Sequence, residues 1–191
     1  MSPITHFLLG WAVANSAPSL TKRERAIVTW ASVVPDLDGW GIVAEKLTRN
    51  SPHPLTWWSD YHHVLGHNIG FALVVAAFAA ILAEQRIKTI LLVLFSFHLH
   101  LFGDLIGARG PDGDQWPIPY LLPFSKHAQL IWSGQWALNA WPNFVITAVL
   151  IGITIALAWC RNFSPLEIFS VNADTAVVRA LRVRVPMPHR D

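Results

Sequence analysis

Three apolar runs limit what this chain can fold into more than anything else in it. Residues 68–83 read NIGFALVVAAFAAILA, residues 89–107 read TILLVLFSFHLHLFGDLIG, and residues 144–160 read FVITAVLIGITIALAWC. A helical crossing of a bilayer takes about 20 residues, within a range of roughly 17–25. Each run reaches that length with modest flanking extension. Charged residues make up only 14% of the sequence, where roughly 25% is usual for a soluble domain. That deficit points to a membrane more firmly than the apolar excess does. The fold expected is all-α: a multi-helix integral membrane bundle.

The first 45 residues are less regular. Residues 4–17 are apolar but short, and residues 25–44 are broken by Pro35, Asp36 and Asp38. With the polar linker PSLTKRER between them they predict a helical hairpin that can enter the bilayer without crossing it. Residues 45–61 and 108–127 read as long polar and aromatic loops, the second broken by Gly-Pro-Asp-Gly and further prolines. Residues 128–141 predict a short interfacial helix carrying Trp132 and Trp136 on one face. The chain divides into a membrane-embedded unit, residues 1–163, and a basic C-terminal tail, residues 164–191, which rests on the lipid surface or is loose. The apolar N-terminal segment lacks a basic leader, so it is kept in the fold.

The polar residues that interrupt the apolar runs follow a pattern. His6 lies near the start of the first helix, and Asp36 and Asp38 near the end of the second. His62, His63 and His67 open the third, and His100 and Asp104 close the fourth. If successive segments alternate in direction, all of them meet at one end of the bundle. His63 and His67, like His100 and Asp104, are four apart and share a helical face. His98 reads as a packed core residue. Cys160 is the only cysteine, so the ligand set is nitrogen and carboxylate oxygen without sulfur. That set suits zinc, with manganese or iron as alternatives. A carboxylate near a membrane is costly unless paired or metal-bound, and one divalent cation neutralises several such groups together.

Charge gives the bundle a direction. The end away from the polar cluster carries Lys22, Arg23, Arg25, Arg86, Lys88 and Arg161, mostly in short connections. By the positive-inside rule that end faces the cytoplasm, and the cluster faces the periplasm or exterior. Seven of the ten tryptophans fall at the cluster end, as an interfacial belt would. No basic run of nucleic-acid-binding density is present, which argues against a nucleic-acid partner.

The motifs THFLLG, VVPDLDGW, HHVLGHN and HLFGD followed by YLLPFS resemble those of the bacterial inner-membrane metal-dependent hydrolases, the YdjM or LexA-regulated group. The resemblance covers residues 3–160. Thr5-His6 matches the family's Thr-His, Pro35 to Asp38 its Pro-Asp-x-Asp, and His100 with Asp104 its His-x-x-x-Asp. His62 and His67 fall on the two histidines of its His-Arg-Gly-x-Thr-His-Ser, while His63 and Asn68 replace the arginine and serine. The motif order is also distantly similar to zinc-dependent phospholipase C. The resemblance implies a metal-dependent hydrolase with His6, Asp36, Asp38, His62, His67, His100 and Asp104 as metal residues. It leaves Asp38 as either a ligand or the group that orients one. His63 is the candidate for contact with a substrate phosphate. The 108–117 loop is longer than the pattern, so Asp112 or Asp114 adds to the site. The substrate expected is a phosphoester or phosphodiester of a lipid. A metal or proton transporter, or a structural stress protein in which metal staples the hairpins, remains an alternative. The oligomeric state is left open.

Overall fold

The structure is a computed structural model, and it describes residues 1–110, 113–127 and 129–186. Among them are eight α-helices, two 3-10 turns and no strand. The helices are α1 (Pro3–Ala14), α2 (Lys22–Ala31), α3 (Gly41–Thr48), α4 (Trp57–Tyr61), α5 (Ile69–Leu82), α6 (Arg86–Gly107), α7 (Trp141–Arg161) and α8 (Val171–Arg184). The first 3-10 turn, Val34–Trp40, carries the Pro-Asp-Leu-Asp stretch between α2 and α3; the second, Pro165–Ile168, precedes α8.

Local chemistry sets several helix starts. Ser2 caps α1 by accepting from the Thr5 amide, with Pro3 just inside. Thr21 and Glu24 form a reciprocal capping box on α2. Asn68 caps α5 by accepting from the Phe71 amide at 2.8 Å, so α5 begins directly after His67. α7 ends at Asn162, which takes the left-handed conformation, φ 66°.

α1 packs on α2, α6 and α7, α2 also packs on α6, and α5 packs on α6. The interior combines large apolar side chains such as Trp11, Phe97 and Ile118 with small and polar ones. Ala72, Ala76 and Ala79 face inward from α5, and Thr89, Ser96 and His100 are buried on α6. Many other large apolar side chains point out: Leu73, Phe78 and Ile81 on α5, Ile87, Leu91 and Phe95 on α6, Phe144, Val149 and Ile155 on α7. Small residues let helix backbones approach where lipid, not water, surrounds the bundle. Two helices, α6 and α7, are long and apolar enough to cross a membrane; only 17% of the α7 window is buried. Exposed apolar faces of this extent mark a membrane or protein contact.

Four regions differ from the sequence reading. Residues 62–67 form turns between α4 and α5, so His63 and His67 share no helical face; the amide of Gly66 bonds Asp38 instead. Residues 129–140 are not helical. They pair back on the preceding loop through isolated bridges, Ile118 with Leu130 and Arg109 with Ala137. Reciprocal backbone hydrogen bonds between Ile118 and Leu130, at 3.0 and 2.8 Å, take the amides a helix would need. Trp132 and Trp136 still meet, edge to face at 6.1 Å. The 45–61 stretch is also not wholly loop, because α3 runs to Thr48 and α4 spans Trp57–Tyr61. The tail forms a packed helix through residue 184: Arg25 grips Glu167 with two bonds of 2.6 and 2.8 Å and lies 3.9 Å from the Phe163 ring. Arg182 donates to the Trp159 carbonyl at 2.9 Å.

At the end of the bundle away from the histidines, Glu24 is only 1% exposed. It accepts from the amides of Thr21 and Gln85 at 2.9 and 2.7 Å and from the Thr21 hydroxyl at 3.0 Å. This carboxylate ties α2 to the start of α6. Glu24→Ala leaves both part-buried amides without this partner, so a loss of about 2 kcal/mol is expected. Thermal unfolding in detergent reads it; an unchanged midpoint would remove Glu24 as the clasp.

Candidate metal centre

The hairpins do bring the polar residues to one end. Four of them, Asp36, His67, His100 and Asp104, each offer one ligand atom, and these atoms all lie within 4.8 Å of one another. His67, His100 and Asp104 are buried. Asp104 Oδ2 lies 3.0 Å from His100 Nε2 and 3.3 Å from His67 Nε2, and the two Nε2 atoms are 3.1 Å apart. Ligands about 2.0–2.1 Å from a tetrahedral zinc are roughly 3.3–3.4 Å apart, so the spacing is that of a metal-binding face. Asp36 Oδ1 is 3.7 Å from His100 Nε2. Its other oxygen is buried with no partner among the described residues.

The outer nitrogens decide what the inner ones can do. His100 Nδ1 lies 2.9 Å from the Ser32 carbonyl. A carbonyl can only accept, so that nitrogen carries the proton and Nε2 of the neutral ring presents a lone pair. His67 Nδ1 lies 3.2 Å from Asp38 Oδ2 and is committed in the same way. With both rings neutral, two bare nitrogens would face each other and a carboxylate. A cation among them relieves this, and so does a second proton on His67, which then donates to His100 and Asp104. The group is thus positioned to bind a metal ion, with a carboxylate and a carbonyl fixing the aim of its histidines.

Asp38, His62, His63 and His6 surround the group of four. Asp38 Oδ1 accepts from His62 Nδ1 at 3.0 Å, and its Oδ2 also accepts from the Gly66 amide at 3.0 Å. Burial alone would raise the Asp38 carboxyl, but the hydrogen bonds from His62 and His67 hold it well below the usual carboxylate range. For His67 burial pulls the imidazole down, yet its bonds to Asp104 and Asp38 outweigh this and lift it to about 9. Burial pushes the Asp36 carboxyl up. His62 is stacked on Trp58 with ring centroids 3.7 Å apart, and His63 on His67 at 4.3 Å. His63 holds a positive φ of 64°, and its Nδ1 is buried with no partner among the described residues. His6 Nε2 lies 3.1 Å from the other oxygen of Asp104, and the Met1 α-amino group contacts that same oxygen. His6 packs against His100 at 3.9 Å, with its Nδ1 unpartnered.

Some contributors have no motif. Ser32 orients His100 and also donates to the His6 carbonyl at 2.6 Å. Gln135, 2% exposed, donates to the Asp104 carbonyl at 2.8 Å and anchors the last turn of α6. Asn143 at the start of α7 does the same for Gly107 at 2.9 Å. Their only sequence signal is an uncharged polar residue in an apolar or aromatic context. His98 faces away from the site, bonded to the Leu94 carbonyl and Tyr120 hydroxyl at 2.7 and 2.9 Å. Asp114 is exposed and outside the group of four; Asp112 lies outside the described residues. A cavity of about 530 Å³ opens beside Asp36 and Asp104, with His62 and His63 on its wall.

Compared with known proteins, residues 1–180 match the family described as YdjM inner membrane protein. No curated protein and no solved structure matches the chain.

Proposed function

Because the chain belongs to the YdjM inner membrane protein family, we propose that it is a membrane-bound, divalent-metal-dependent hydrolase acting on a phosphoester or phosphodiester of a lipid-like substrate. The observation that carries this reading is the pair of histidines whose Nδ1 atoms are already committed and whose Nε2 atoms converge on Asp104. Asp36, His67, His100 and Asp104 would hold the metal. His6 would bind the second oxygen side of Asp104. Asp38 positions His67 and His62. Zinc suits the donors, with manganese or iron as alternatives.

A bound divalent cation polarises a phosphoryl oxygen and makes water acidic enough to attack near neutral pH. The chain's own residues supply the rest. His63, on the cavity wall, would face a phosphate oxygen, and Asp36, whose carboxyl is pushed up by burial, would accept a proton from water. Gln135 and Ser32 keep Asp104 and His100 in place. The bundle is read as multi-pass with the site on the periplasmic side. The basic turns and the arginines of α8 lie at the opposite end, and Arg25 is there neutralised by Glu167.

Phosphate release from hexadecyl phosphate and from phosphatidic acid tests the reading, using metal-loaded and chelator-stripped protein in detergent. Loaded wild type should hydrolyse at least one, and stripped protein or His67→Ala should fall below about 1% of that rate. Stoichiometric metal with no hydrolysis of any lipid phosphomonoester or diester would leave a metal staple and sink the hydrolase.

A further inference from the structure

The cavity beside the metal centre is lined by few polar side chains and many apolar ones. Asp36, Asp104, His62 and His63 are polar, while Trp40, Ile42, Val43, Trp116 and Leu138 supply apolar wall. A phosphate group needs no such apolar extension. The volume, about 530 Å³, lies within the 300–1,000 Å³ usual for sites that bury most of a small ligand. On the other side of α3 a second hollow of about 490 Å³ is lined by Leu37, Leu47, Trp57 and Leu65. Trp40 and Val43 line both. Trp40 is 71% exposed and Leu47 81%, on a short helix with no buried residue of its own. Trp40 and Val43 thus stand between the carboxylate cavity and an apolar hollow at the outer surface of α3.

We propose that this cavity holds the hydrocarbon chain of one lipid phosphate, which slides in sideways from the bilayer past α3 with its phosphate toward Asp36 and Asp104. The proposal rests on the hydrolase reading only for the phosphate, since two carboxylates repel an anion unless a divalent cation lies between them. The chain's place rests on the walls alone. A mostly apolar lining that also includes two carboxylates and two imidazoles matches an amphiphile. Exposed tryptophans beside the opening are the side chains that favour the headgroup level of a membrane.

The test uses the full chain in nanodiscs and hexadecyl phosphate carrying a diazirine at the end of its alkyl chain. After irradiation, label should concentrate on residues 40–43 and on Leu138. Excess hexadecyl phosphate should displace it and butyl phosphate should not. Ile42→Trp fills the cavity and evicts about two methylenes, so labelling there should drop about tenfold. Leu138→Trp, elsewhere on the lining, should do the same if the first variant folds poorly. Label spread over the exposed faces of α5, α6 and α7, or undiminished in both variants, overturns the proposal. Labelling needs no turnover, so the two readings fail separately. Label here without phosphate release refutes the hydrolase alone, and hydrolysis without label here refutes the cavity alone.

Discussion

Purified in detergent with zinc and manganese supplied, the wild-type protein is expected to carry about one equivalent of divalent metal or more, and Asp104→Asn less than about a tenth of that. The change is nearly isosteric, yet it replaces one of two anionic oxygens on the carboxylate that His6, His67 and His100 all approach. The amide also offers N–H groups where the imidazoles present lone pairs. Asp38→Asn separates ligation from orientation. It leaves the four donors in place and weakens the bond that aims His67, so affinity should fall roughly 10–100-fold rather than vanish. Elemental analysis and competition with a chelator read both. Equal metal in wild type and Asp104→Asn would mean that the ion sits elsewhere, and the assignment would go with it.

Gly66→Ala is expected to damage the fold and the metal site together. A Cβ at Gly66 would lie 2.2 Å from the Pro35 carbonyl oxygen and 2.9 Å from its carbon. Those are backbone atoms that no rotamer can move. The segment holding His67 packs here against the one holding Asp36 and Asp38, and the Gly66 amide itself bonds Asp38. Overpacking costs about 1–3 kcal/mol, and rigid backbone puts this case near 3, a fall of roughly 6–12 °C in Tm for a chain of this size. Metal affinity should fall with it, because the two ligand-bearing segments must part. Gly152→Ala is the matched control: nothing lies within 4 Å of its added Cβ. If Gly66→Ala melts and binds metal like Gly152→Ala, the close contact does not position the site.

Helix identity was legible where periodicity did not matter. Runs of apolar residues announced α5, α6 and α7, while the caps at Ser2, Thr21 and Asn68 emerged only from the structure. The loop of residues 129–140 was misread because Trp132 and Trp136 fit a helical spacing. Their edge-to-face contact also forms across a turn, and the backbone amides had partners in a segment far away in sequence.

The sequence by itself determined that histidines and aspartates would gather at one end of an apolar bundle. Antiparallel hairpins carry residues at alternate segment ends to the same place whatever the packing in detail. Only the tertiary structure decided which of them share a centre and which stand behind it. That choice depends on where each ring's second nitrogen is bonded: to a carbonyl from Ser32, to the carboxylate of Asp38, or to nothing. Such partners lie tens of residues away and leave no spacing in the chain to read.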